Sequence, residues 1–304
     1  MPSLLHTVSF VPNDAVRLDR YIAENMCLFS RSQIKARRLK ALVNGKAAKI
    51  SLPVKNGDVL ELSWNEDPPA DLIPQDIPLD IIYEDERSVV INKAQGMVVH
   101  PAAGNWQGTL ANALYHRRLQ RGVHSGSDGL RPGIVHRLDK DTSGVMIAAY
   151  DEESLAFLAG QFKAGQARKK YVAIVSGIVP AGKGRIETFI ARDPKNRKLF
   201  AVANQGRRAI TFYTVIKTWK KHSLLVLRPK TGRTHQIRVH LRHIGHPVLG
   251  DPFYGFLDPL FPKATLMLHA RSLAIALPGM EGQRLFKTPM PQRFVEIMHK
   301  LDSM

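Results

Sequence analysis

A single cysteine, Cys27, stands in 304 residues. No disulfide can close within such a chain and no thiolate zinc site can form. Cys27 lies beside Leu28 and Phe29 and is expected to be a small core residue. Acidic charge is also scarce, with 26 Asp plus Glu against 44 Lys plus Arg and a formal net charge of +18. That excess implies a polyanionic partner. No run approaches the ~20 apolar residues of a spanning helix, and no signal pattern opens at Met1, so a soluble, cytoplasmic protein without membrane partners is expected. His235, His240, His243 and His246 follow no ligand spacing, and neither metal nor cofactor is expected. The length suits about two domains.

Residues 17–62 describe a small module. Leu18, Tyr21 and Ile22 have the spacing of a short amphipathic helix. Ser30 to Gln33 offers a capping box for a second helix carrying Lys35, Arg37, Arg38 and Lys40. Val43-Asn44-Gly45-Lys46 is a hairpin signal, and Asn56-Gly57-Asp58 marks a turn. Ten Lys or Arg face four Asp or Glu over these residues. Arg17-Leu18-Asp19, Ser30 to Gln33, Val43 to Lys46 and Gly57-Asp58, in that order, resemble the S4 RNA-binding domain. The resemblance implies RNA contact through Arg31, Lys35, Arg38 and Lys46, in a domain spanning 1–65.

Residues 66–87 break from this pattern, with four prolines among eight acids and Arg87 as the one base. They are expected to form an extended tether whose acids lie away from a polyanion. The larger domain, 88–304, opens on the strand pattern Val89 to Lys93. Thr109 is placed to cap a helix carrying Leu110, Ala113 and Leu114, and the glycine-rich residues 120–130 read as a loop. Leu155, Leu158, Ala159 and Phe162 form a helical core stripe, and Arg168 to Val175 is a basic segment running into a strand. Between Pro194 and Gly250 there is no acid and there are thirteen Lys or Arg. A one-sign interval of that length fits a phosphate backbone better than a solvated face.

At the centre lies Gly133-Ile134-Val135-His136-Arg137-Leu138-Asp139-Lys140-Asp141-Thr142-Ser143-Gly144. Apolar residues on both sides suggest strand, polar loop, strand. The loop would present Asp139 between Arg137 and Lys140, and a carboxylate among fixed cations suits a nucleophile. Further on, Gly232-Arg233-Thr234-His235-Gln236-Ile237-Arg238 reads as a turn entering a helix whose Ile237, His240, Leu241 and Ile244 face the core, with Arg238 and Arg242 sharing another face.

The His136 to Gly144 string, the Gly232 to Arg238 string and the intervening Tyr171 resemble the pseudouridine synthases of the RluA/RluD type, which isomerise uridine in large-subunit ribosomal RNA. That resemblance implies Asp139 as the catalytic residue and Tyr171 as the ring that stacks on the target uracil and is a candidate base. It also implies Arg238 as the partner of Asp139, with Arg233 as the fallback, and RNA contact through His136, Arg137, Arg233 and His235. The expected fold is α+β, with a mixed, mostly antiparallel sheet and flanking helices beside the small S4-like module. RNA is the expected partner and a monomer the expected state, because charge repulsion disfavours association. A transfer-RNA isomerase of the same chemistry, or a catalytically silent ribosome-assembly factor, would show much of the same surface.

Overall fold

The computed structural model describes residues 3–9, 15–31, 34, 39–64, 72–101, 105–122, 133–196 and 199–304, in two compact units, Met1–Asp71 and Leu72–Met304. The smaller unit contains β1 (Ser3–Thr7), β2 (Val16–Arg17), helix α1 (Leu18–Arg20) continued by wider turns through Asn25, β3 (Lys40–Val43), β4 (Lys46–Ala48), β5 (Pro53–Val54) and β6 (Val59–Ser63). Leu18, Tyr21 and Ile22 are buried against Val54, Leu60 and Leu62. Asn44 and Gly45 both take positive φ, as a two-residue hairpin turn between β3 and β4 requires. The Asn44 amide donates to Asp58 Oδ1 and accepts from the Val59 N–H, each at 2.8 Å, tying the two expected turns together.

Three expectations for this unit need revision. Cys27 is exposed rather than in the core, because the chain leaves the helix there with φ at 49° and the thiol turns back toward the Glu24 carbonyl. Lys40 opens a strand rather than closing a helix. Of the second helix, Arg31 and Ile34 are described, while Lys35, Arg37 and Arg38 lie outside the described residues. Arg31 and Lys46 are exposed.

The larger unit is built on a ten-stranded sheet: β7 (Ile81–Glu84), β8 (Ser88–Lys93), β9 (Ser143–Ala149), β10 (Arg168–Ser176), β11 (Lys183–Arg192), β12 (Phe200–Ala203), β13 (Arg207–Thr218), β14 (His222–Pro229), β15 (Leu268–Ala276) and β16 (Gln283–Lys287). The order is β12-β11-β13-β14-β10-β15-β9-β8-β7, with β16 also on β15. Every described pairing is antiparallel except β15 with β9. This is the α+β, mostly antiparallel architecture expected from the sequence. Helices α2 (Leu110–Gln120), α3 (Glu152–Lys163), α4 (Gln236–His243) and α5 (Gln292–Asp302) accompany it. Thr109 caps α2 with Asn112 answering back to the Thr109 N–H, and Asp151 caps α3 through the Ser154 N–H at 2.7 Å. Among the described residues no helix is long and apolar enough to cross a membrane.

The expected tether is shorter than its composition suggested. From Leu72 the chain belongs to the larger unit, and Ile81–Glu84 is an edge strand of the sheet. Its acids have structural work: Glu84 accepts from Arg117 Nε at 2.8 Å and from the Tyr150 hydroxyl, while Asp85 accepts from the N–H groups of Arg87 and Ser88. The expected strand before the central loop is also absent, since Ile134 makes one isolated bridge to Ala148.

Candidate active site

The loop carrying Asp139 is held from below by a buried ammonium. Lys93, at the end of β8, donates to the carbonyls of Ala94, Met97 and Lys140 at 2.8, 2.8 and 3.0 Å. Burial lowers its pKa to about 8 against the opposing charges of Asp141 and Asp139. The Thr142 N–H closes a turn onto the Asp139 carbonyl. Behind the turn, Ser143 Oγ bonds His269 Nδ1 at 2.8 Å and accepts from Arg293 Nη2 at 2.7 Å, fixing β9 to β15. Gly144 makes the parallel pairing possible: with φ at 121°, a Cβ there would lie 2.2 Å from the Ala270 carbonyl oxygen.

Arg238 reaches the loop from the first turns of α4. Its Nη1 donates to Asp139 Oδ2 at 3.1 Å, while Nε and Nη2 form a two-pronged bond to Asp251, both at 2.7 Å. The Asp251 carboxylate also accepts from the N–H groups of Phe253 and Tyr254. Burial alone would lower the guanidinium's pKa, but the bonds and charge of Asp251, then of Asp139, hold it above the usual arginine value. Arg238 is therefore buried, at 3% exposure, and does not share a solvent face with Arg242, which is exposed. Arg233 takes another path and donates through Nε to the Arg208 carbonyl. The turn before α4 is locked by Gln236, whose amide accepts from Thr231 Oγ1 and the Arg233 N–H and donates to the Ile210 carbonyl and Thr211 Oγ1.

Asp139 opens onto a cavity of about 530 Å³, also lined by Arg137, Tyr171, Arg233, His235 and Arg238. Burial, and then the negative charge of Asp139, raise the Tyr171 phenol above its ordinary pKa. A neutral phenol at pH 7 can offer a stacking surface and a hydrogen-bond donor; it gives up its proton more readily once the charge on Asp139 has been consumed. His235 adopts the left-handed conformation with φ at 55°. Its Nδ1 bonds the Tyr254 hydroxyl at 2.8 Å, and its Nε2 stands 3.9 Å from Asp139 Oδ1. Burial lowers its pKa more than Asp139 raises it. His136 lies in the wall with its ring stacked on Phe162 at 4.4 Å and its Nε2 accepting from the Ile147 N–H. Burial first, and then Lys169, push it down to about 3, so it brings no positive charge to RNA.

Three inward histidines give the unit an acid limit. Burial pushes His136 down to about 3, and His240 and His269 down to about 4. In the unfolded chain these rings titrate near 6.5, so the unfolded chain binds protons first. Their contribution is complete above about pH 6.5 and is lost as pH falls toward the folded values. Denaturant melts are expected to show stability falling between pH 7 and pH 5, on the order of 1–2 kcal/mol for each ring; a flat profile over that window would contradict the burial of the three side chains.

Sequence reasoning did not assign roles to Asp251, Tyr254 or Lys93. Asp251 lies thirteen residues beyond Arg238, and their contact is made only across folded elements.

The profile of the RNA pseudouridylate synthase family matches residues 87–243. The chain is similar to ribosomal large subunit pseudouridine synthase D of Borreliella burgdorferi, with 44% identity over 94% of this chain and 89% of the relative. It is also similar to the protein of that name from Escherichia coli K12, with 39% identity over 93% and 89%. Among solved structures, human RNA pseudouridylate synthase domain containing 4 aligns with a TM-score of 0.57 and 27% identity, over 73% of this chain and 93% of that one. With the family's profile spanning the Asp139 loop, Tyr171 and the Arg238 helix, the chain belongs to the RNA pseudouridylate synthases.

Proposed function

We propose that this enzyme converts specific uridines of large-subunit ribosomal RNA to pseudouridine, with Asp139 as the group that acts on the nucleoside. The observation that carries the reading is the Asp139 carboxylate at a cavity wall, with one oxygen held by Arg238 and the other 3.9 Å from His235 Nε2. Isomerisation breaks the bond from ribose C1′ to uracil N1, turns the base and joins C1′ to C5; the proton leaves C5 and N1 gains one. A carboxylate can attack the sugar or base, or stabilise a cationic sugar, without metal or cofactor. The target nucleotide must leave its stack to reach the cavity. Tyr171 supplies a replacement ring for the everted uracil. Arg137, exposed at the mouth, enters the vacated space or clamps a phosphate.

The names of the relatives support ribosomal RNA over transfer RNA. The smaller unit serves as an S4-like RNA-binding module in this reading, with Arg31 and Lys46 on its surface; Lys35 and Arg38, which the same resemblance implicates, lie outside the described residues. The enzyme works in the cytoplasm as a monomer, consistent with ribosomal RNA as substrate and with the +18 charge. Pseudouridine mapping of total RNA from cells with and without the gene is the test. Loss of one or a few sites in large-subunit RNA is expected; loss confined to transfer RNA would establish the alternative substrate, and an unchanged map would reject the enzyme reading.

A further inference from the structure

Lys169 and Tyr171 are two residues apart on β10 and both line the cavity, as strand periodicity requires. The ammonium of Lys169 is 5.9 Å from the centre of the Phe162 ring, and among the described residues it has neither a carboxylate within ion-pair distance nor a hydrogen-bond acceptor. Its nearest companions are the Phe162 ring, the neutral His136 and the backbone at Gly232, where a Cβ would stand 3.9 Å from Nζ. Lys163, Lys230 and Arg233 also line the cavity, and Asp139 is the one acid among all the lining residues. Asp139 is already held by Arg238.

A half-buried cation with no anion is unfavourable, since burial removes water and the face of Phe162, at the outer limit of a cation–π contact, returns little. Burial is indeed what lowers the Lys169 pKa. An uncompensated cation inside a ligand cavity marks the place where the ligand brings the charge. A cavity of about 530 Å³ has room for more than a single pyrimidine base, and the ligand class already proposed carries one negative charge per nucleotide.

Resting on that reading, we propose that Lys169 is a phosphate-binding residue that seats one backbone phosphate of the RNA beside the everted nucleotide, so that the cavity holds a base at Asp139 and Tyr171 and an anion at Lys169. Phe162, backed by the His136 ring, closes the apolar side of this subsite. The flipped nucleotide is thereby fixed at two points, its base and an adjacent linkage, which limits the rotation of the sugar while the base turns.

The test uses the full-length protein and a substrate RNA oligonucleotide, with affinity measured over a series of salt concentrations. Lys169→Gln is expected to weaken binding about five- to tenfold at low salt and to reduce the slope of log affinity against log salt by about 0.7–1, the signature of one lost phosphate contact. Lys169→Arg is expected to restore the slope. RNAs carrying a single neutral methylphosphonate linkage then identify the partner: at one linkage near the target the substitution weakens wild type about as much as Lys169→Gln does and costs the Lys169→Gln protein nothing further. An unchanged salt slope in a normally folded Lys169→Gln protein would overturn the assignment. So would equal losses in both proteins at every linkage, or a changed pH profile of turnover with binding intact. Pseudouridine formation by wild type on the same oligonucleotide is scored in parallel, so failure of the enzyme reading is seen separately.

Discussion

Asp139→Asn is expected to abolish pseudouridine formation, with a loss of at least about 10⁴-fold in single-turnover rate, while RNA affinity stays within a few-fold of wild type. The substitution keeps the volume of the side chain and an oxygen that can accept from Arg238 Nη1, so the cavity wall is preserved. What it removes is the anionic oxygen on the His235 side, 3.9 Å from Nε2, where the nucleoside is taken to bind. An amide has neither the nucleophilicity of a carboxylate nor its ability to balance a cationic sugar. The informative assay is single turnover on purified RNA with enzyme in excess, because slow product release cannot disguise the chemistry there. Retained turnover would reject Asp139 as the reacting group, and lost binding would mean that its main role is elsewhere.

Asp251→Ala is the second large effect, and it reaches the chemistry through structure. Asp251 is fully buried, and its two oxygens accept from Arg238 Nε and Nη2 and from the N–H groups of Phe253 and Tyr254. Removing it leaves a guanidinium at 3% exposure with Asp139 as its one carboxylate. Breaking one side of a buried ion pair costs about 3–5 kcal/mol. The expected consequences are a midpoint of thermal unfolding lower by roughly 6–15 °C and a turnover rate lower by about 10²-fold, from misplacement of the carboxylate. Differential scanning calorimetry and single-turnover kinetics on the same preparation check both. A variant as stable as wild type would show that Arg238 is not held as described.

The sequence made the chemistry more legible than the scaffold. The Asp139 string and the Arg238 string could be paired on paper because the family resemblance names them together. Nothing local says that Arg238 is buried: its helical spacing with Arg242 suggests one shared face away from the core, whereas Asp251 from a later loop and Asp139 from the central loop both bond its guanidinium in the interior. The tether was misjudged for a related reason. Prolines at 68, 69, 74 and 78 and a run of acids predict an extended, solvated chain, yet an extended chain is also what a sheet edge accepts, and the counter-charges of Arg117 and Arg121 come from a helix about 30 residues on. Cys27 was read from its apolar neighbours, but a helix end decides its direction. His136 was expected to contact RNA, whereas its burial against the Phe162 ring makes it a neutral part of the cavity wall.

The parallel contact between β9 and β15 is short, with His269 opposite Ser143 and Ala270 opposite Gly144. Asp139 enters from the side of that contact containing β7, β8 and β9, whereas Tyr171, Arg238 and Asp251 belong to the other side. The Asp139 carboxylate and the guanidinium that holds it are thus supplied by opposite banks of one seam. A shear of the two by a single residue would part Asp139 from Arg238 while leaving each bank's own hydrogen-bond ladder intact.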